Sequence, residues 1–204
     1  MKLLSLSVAI MCDGAPGNFQ KAAAIRSVLE TFNIQVYFYQ LLQQQSLLDF
    51  FQGNYADCDY VVWCCFGCIN ERGEEQVNFQ VAHQQDNDYE NKSNWQRLQF
   101  GLTPNNLANY IKNPKGTLIC GATVGGKWEK SVLNTGYKAY IAPTTADLAI
   151  NSQTLFLTGF FYYLTIHGLD YYTGEKFTPQ EAVKHAAAMD RHYEAGTKLF
   201  HYYH

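Results

Sequence analysis

The run Asp59-Tyr60-Val61-Val62-Trp63-Cys64-Cys65 places six apolar side chains in succession behind a single charge. Successive side chains of a strand point to opposite faces, so this segment stays in water only if both its faces are covered. Two-sided burial of that kind belongs to parallel sheets flanked by helices. Leu4 to Met11, Thr117-Leu118-Ile119-Cys120 and Tyr137 to Ala142 read the same way, and Ile34 to Tyr39 is rich in β-branched and aromatic residues.

Helical patterns alternate with these runs. Asn18 to Phe32 carries Ala22, Ile25, Val28, Leu29 and Phe32 at the spacing of one helical face. Ser46 to Phe51 fits a short helix ended by Gly53-Asn54. Thr103-Pro104 predicts a helix running to about Lys112, with Thr103 as N-cap and Pro104 in the first turn. Asn151 to Gly168 reads as a buried aromatic helix. Thr178-Pro179-Gln180-Glu181 is a capping box that opens a last helix through at least Arg191. Residues 70 to 101 lose all periodicity, which predicts an excursion of short strands or loop. The expectation is an α/β three-layer sandwich, Rossmann-like, with a mostly parallel sheet and helices on both faces, formed by residues 1–204 as a single domain.

At 204 residues and 47% hydrophobic composition the chain has ample core for one domain. No apolar run reaches the roughly 18 to 20 residues needed to cross a bilayer, so no membrane partner is expected. A formal net charge of -3 supplies no field to draw in nucleic acid. Met1 to Met11 leads straight into Cys12-Asp13-Gly14 and reads as a first strand entering a turn rather than as a signal peptide. The six cysteines, three of them in Cys64-Cys65-Phe66-Gly67-Cys68, cannot all pair locally, because neighbours on a strand point apart. Small buried thiols in a reducing cytoplasm are expected.

In an open α/β sheet ligands bind beyond the carboxyl ends of the strands. Four loops qualify: residues 12–18, 66–72, 121–127 and 143–147. Asp13, Thr144 and Asp147 are the candidate substrate-binding residues, chosen because their loops lie on this rim. Cys120 is the candidate nucleophile. It ends a short apolar strand and precedes Gly121-Ala122-Thr123-Val124-Gly125-Gly126, whose backbone N–H groups could hold an oxyanion.

Three stretches taken together resemble a known family: residues 56–67 (Ala-Asp-Cys-Asp-Tyr-Val-Val-Trp-Cys-Cys-Phe-Gly), residues 117–126 (Thr-Leu-Ile-Cys-Gly-Ala-Thr-Val-Gly-Gly) and residues 136–143 (Gly-Tyr-Lys-Ala-Tyr-Ile-Ala-Pro). They are similar to the caspase-like cysteine-peptidase superfamily, its CHAT-type branch especially, and residues 156–164 with 178–186 are similar to that branch's closing helices. The resemblance covers most of the chain from residue 4 to about 190. It implies a His-Gly pair closing the third strand and a Cys closing the fourth, the His roughly 50 residues upstream of the Cys. Carried onto this chain, the Cys is Cys120, the Gly is Gly67, and the His position holds Phe66. The pair is incomplete. With no imidazole beside it, Cys120 is expected to keep its free thiol pKa or a higher one.

Two functions follow from the resemblance. One is a degenerate domain that binds a peptide or protein partner without cleaving it. The other is a working cysteine hydrolase with Cys120 as nucleophile, Gly67 and the Gly121 loop as oxyanion donors, and His83 as displaced base. A flavodoxin-like or glutamine-amidotransferase-like small-molecule protein is a third reading, the latter because Gly67-Cys68 follows a hydrophobic strand, although Ile69-Asn70 suits a nucleophile elbow poorly. His167 reads as a helix C-terminal residue. Cys65-Phe66-Gly67-Cys68 has the spacing of a redox motif but follows the wrong strand and leads into a turn. No fourth ligand completes a zinc site, so neither metal nor cofactor is expected. Cys12 to Asn18 lacks the glycine spacing and Lys of a phosphate-binding loop. His185, His192, His201 and His204 lie near an aromatic tail that is expected to dock.

Overall fold

The computed structural model describes residues 6–41, 44–52, 54–82, 97–122, 126–144, 150–165, 176–190 and 200–204. Among the described residues the main sheet has six strands. Five are parallel: β1 (Ser7–Cys12), β2 (Gln35–Gln40), β3 (Tyr60–Cys64), β7 (Thr117–Cys120) and β8 (Ala139–Pro143). β9 (Phe200–Tyr203) runs antiparallel at the far edge, giving the order β2-β1-β3-β7-β8-β9. Between β3 and β7 the chain makes a second, three-stranded antiparallel sheet from β4 (Phe66–Ile69), β5 (Glu75–Ala82) and β6 (Arg97–Leu102).

Alternation along the strands divides the core in two. Val8, Ile10, Tyr60, Val62, Ile119 and Ile141 point to one side. There they meet α1 (Pro16–Thr31), α5 (Ile150–Leu164) and α6 (Pro179–Ala187). Ala9, Met11, Val61, Trp63, Leu118 and Tyr140 point to the other, against α2 (Gln44–Gln52), α3 (Leu107–Tyr110), α4 (Glu129–Asn134) and the inner residues Val77 and Phe79 of the small sheet. Each fully covered Leu, Ile or Phe contributes about 1.5–3 kcal/mol relative to exposure. The molecule is therefore the expected three-layer α/β sandwich with helices on both faces of a mostly parallel sheet.

Local signals explain most boundaries. Asn33 sits in the left-handed region (φ 56°) and stops α1, with Ile34 N–H donating to Leu29 C=O and Asn33 N–H to Glu30 C=O. The capping box at Thr178 is present, the hydroxyl accepting from Glu181 N–H and the carboxylate from Thr178 N–H. Its helix ends at Ala187, short of the expected Arg191, which is outside the described residues. The helix expected from Thr103 shrinks to the single turn Leu107–Tyr110, because Asn106 takes the capping position and its Oδ1 accepts from Thr103 N–H. In the described part of the excursion, β5 alternates Gln76, Val77, Asn78, Phe79; Val77 and Phe79 are fully covered on the core side, and Asn78 on the other face is buried too. The third strand ends at Cys64, and Phe66 already belongs to β4.

β7 can lie against β3 only because residue 116 has no side chain. A Cβ there would stand 2.1 Å from the Cys58 carbonyl oxygen and 2.5 Å from that of Asp59. Both contacts are to backbone, which cannot step aside. Gly116→Ala is expected to lower unfolding free energy by about 3 kcal/mol, measured as a reduced urea midpoint with an unchanged slope.

Candidate functional site

Six groups meet at the carboxyl ends of the central strands: Asp13, Lys21, the thiols Cys12 and Cys64 on the α1 side, and Cys65 with Cys120 on the other. Cys12 and Cys64 are register partners on adjacent parallel strands. All six cysteines are free. Among the described residues no group of His, Cys, Asp and Glu could hold a metal ion.

Cys120 is fully buried. Its sulfur accepts hydrogen bonds from the Cys65 thiol, the Ala122 backbone N–H and the Tyr140 hydroxyl, with the Lys21 ammonium nearby. Donors favour the charged form and desolvation opposes it. The donors prevail: the Cys65 hydrogen bond, the largest influence, holds Cys120 below the ordinary thiol range. Burial, then its own donation to Cys120, pushes Cys65 well up. Burial likewise raises Cys12 and Cys64 to about 12. The expectation of an ordinary or raised Cys120 is thus reversed, and the donors that reverse it belong to residues far away in the sequence.

Lys21 was not singled out in the sequence. It sits four residues before Ile25 and eight before Leu29, on the buried face of α1, and is 1% exposed. That spacing was the available signal. Its Nζ donates to the Gly121 carbonyl (2.8 Å) and to Gln153 Oε1 (2.7 Å) on α5, so one ammonium ties α1, α5 and the turn after β7 together. Gly121 makes room for it: a Cβ there would lie 2.8 Å from the Trp63 carbonyl oxygen and 3.3 Å from Nζ.

The other candidates distribute unevenly. Asp13 is not on a rim. It is wholly buried, and its carboxylate accepts from Ala15 N–H and Asn18 Nδ2, both at 3.0 Å, to shape the start of α1. Gly121 does not present its amide to a ligand, since that N–H donates to the Trp63 carbonyl at 2.9 Å. Gly67 lies in β4 opposite Val77. Thr144 is exposed just after β8. His83 and Asp147 lie outside the described residues, as do His167 and His192. The described histidines are elsewhere: His185 stacks on Phe177 at 4.6 Å, His201 is on β9, and His204 follows it. None acts on Cys120. The aromatic tail docks as β9, with Phe200 stacked on Phe156 at 3.7 Å between ring centres.

Beside the small sheet lies a groove of about 760 Å³. Its lining includes Cys68, Arg72, Gln76, Asn78, Thr103 and Asn106. Cys68 is the only cysteine that is not buried, and Asn78 Nδ2 approaches its sulfur at 2.9 Å. Five neutral amides, Asn70, Gln76, Asn78, Asn105 and Asn106, share the lining with the charged Glu71, Arg72 and Glu74.

No protein-family model matches the chain, and no curated protein matches it significantly. Among solved structures, the two-electron reduced flavodoxin of Megasphaera elsdenii is similar at 14% identity and a TM-score of 0.33, over 74% of this chain and 95% of that one. A likeness so slight carries no functional argument.

Lys21→Met is expected to cost about 2–4 kcal/mol by removing a buried donor from Gly121 and Gln153. It should also raise the pH at which the Cys120 Cβ signal titrates in the nuclear magnetic resonance spectrum of cysteine-labelled protein. The raised thiols set a pH limit of their own. Cys12 and Cys64 stay neutral in the folded chain to about 12, whereas unfolded thiols ionise from about 9. Their stabilisation is complete below the unfolded pKa and is lost as pH rises toward the folded one. Unfolding free energy should therefore fall between pH 9 and 12, less steeply in Cys12→Ala, as followed by denaturant titration at each pH.

Proposed function

We propose that this chain is a non-cleaving, partner-binding domain of caspase-like, CHAT-type character that receives an extended, polar peptide segment in the groove beside its small sheet. The observation that carries this reading is that the machinery a thiol peptidase needs is consumed inside the fold. The sulfur of Cys120 is sealed from solvent, three donors point at it, and the next amide, Gly121 N–H, bonds to Trp63. An oxyanion hole requires donors left open for the developing charge. A thiol nucleophile of this family is activated by a base within hydrogen-bonding reach, and the position that the resemblance assigns to His holds Phe66, in β4.

Topology supports the caspase-like part of this reading: Phe66-Gly67 comes one residue after the third strand, at the start of β4, and Cys120 closes the neighbouring strand of the sheet. The groove supports the binding part, because its amides offer paired donors and acceptors suited to peptide backbone and to Asn, Gln, Ser or Thr side chains. Six free thiols suit a reducing compartment.

One observation favours the rival hydrolase, namely the lowered pKa of Cys120. Labelling separates the two. Iodoacetamide at neutral pH, read by peptide mass spectrometry, should modify Cys68 first and leave Cys120 unmodified in the folded protein. A mixture of internally quenched peptides should show no cleavage that Cys120→Ala abolishes. Rapid Cys120 labelling together with Cys120-dependent cleavage overturns the binding reading. For the groove itself, a fluorophore on Cys68 should respond to members of a positional-scanning peptide library, with Gln76→Ala weakening the response about tenfold. Silence across the library rejects that location.

A further inference from the structure

The two edges of the main sheet are managed differently. β9 is short, four residues, and carries His201. β2 has six residues, Gln-Val-Tyr-Phe-Tyr-Gln, in unbroken register with β1 from Ser7↔Gln35 to Cys12↔Gln40. None of the six is buried, whereas all five residues of β3 and of β8 are. Natural edges are blunted by Lys or other charges, by Pro, by bulges or by a covering loop. β2 has no charge, no proline and no bulge. Neutral, β-prone segments of this length pair readily.

The backbone directions are also fixed. Leu41 N–H donates to Cys12 C=O at 2.8 Å, so residue 41 faces β1, and with it the odd-numbered residues of β2. The even-numbered residues Val36, Phe38 and Gln40 therefore direct their N–H and C=O groups away from the sheet. Aromatic surface flanks this open ladder on both sides. Phe19, 40% exposed, meets Phe38 edge-on at 6.0 Å, and Tyr37, 37% exposed, packs with Tyr39 around Tyr55.

We infer that β2 is a self-pairing edge, and that two copies of this chain join antiparallel through it into one continuous sheet. A dyad perpendicular to the sheet keeps odd residues opposite odd and even opposite even. Centred on Phe38, it sets Phe38 against Phe38 of the second copy and Val36 against Gln40, so that every outward N–H meets an outward C=O. Six hydrogen bonds close, three donors coming from each copy. Tyr37 then faces Tyr39 as a non-hydrogen-bonded pair, the arrangement that brings aromatic side chains closest. Charge does not oppose the approach: Arg26, whose guanidinium lies 5.4 Å from the Phe38 ring centre, is already paired with Glu30 at 2.7 Å. A contact limited to one strand edge and its flanking rings belongs to the small, weak class of interfaces, for which micromolar association is expected.

The test combines sedimentation with residue-resolved hydrogen exchange on the whole chain, from about 1 to 100 µM, the range over which a micromolar contact fills. Mass should rise from monomer to dimer. Across the same range the Val36, Phe38 and Gln40 amides should become protected, while the Tyr37 and Tyr39 amides, bonded to β1, are protected throughout. Gln40→Pro removes an outward N–H at an exposed position without touching the bonds to β1, and should weaken association at least tenfold with the circular dichroism spectrum intact. Tyr37→Lys, on a side chain already partly exposed, should do the same by placing a charge against the opposing tyrosine. A monomer at the highest concentration, a dimer indifferent to both substitutions, or protection confined to β9 overturns the assignment.

Discussion

The architecture depends on covering both faces of one parallel sheet. β1, β3, β7 and β8 expose almost nothing on either side, so the chain has to supply two independent apolar layers. α1, α5 and α6 supply one, and α2, α3, α4 with the inner face of the small sheet supply the other. The small sheet is thus part of the roof over Trp63, whose ring packs against Phe79 at 5.8 Å and against Phe51 at 5.6 Å. Groove and core are two faces of the same three strands.

Two-sided burial also explains the chemistry at the strand ends. Four thiols, a carboxylate and an ammonium come together where water has been excluded, and in such surroundings direction of hydrogen bonding decides ionisation. Cys65 gives its proton toward Cys120 and becomes harder to ionise, while Cys120, accepting from three sides, becomes easier. The same donors that stabilise the thiolate also occupy it. A lowered pKa does not by itself make a nucleophile, because nucleophilicity needs access as well as charge, and Cys120 is fully buried.

Much of the fold was legible in the residues. Apolar runs marked the parallel strands, and the Thr178 capping box survived intact, because those signals are local. Thr103 misled because Asn106, three residues on, competes for the same turn with a longer side chain. The small sheet was half visible: the β5 alternation lay in the letters, but a polar outer face hid it among loop-like neighbours. At the site, Cys120 could be picked out from its strand end. Lys21 could have been found from its spacing to Ile25 and Leu29. The partnership of Cys120 with Cys65 and Tyr140 could not, since it arises only when β3, β7 and β8 lie side by side. Asp13 shows the converse: an acidic residue at a strand end reads as a ligand contact, yet its carboxylate is turned inward on the helix start it organises.

The insertion between β3 and β7 has a kinetic consequence. These strands are neighbours at the middle of the sheet, yet pairing them closes a loop of roughly 50 residues, which must lose its freedom before the contact gives anything back. Everything that quiets Cys120 assembles after that closure. A chain still on its way to the native state therefore carries an ordinary, unshielded thiol at position 120, and protection from oxidants and electrophiles is acquired only as folding completes.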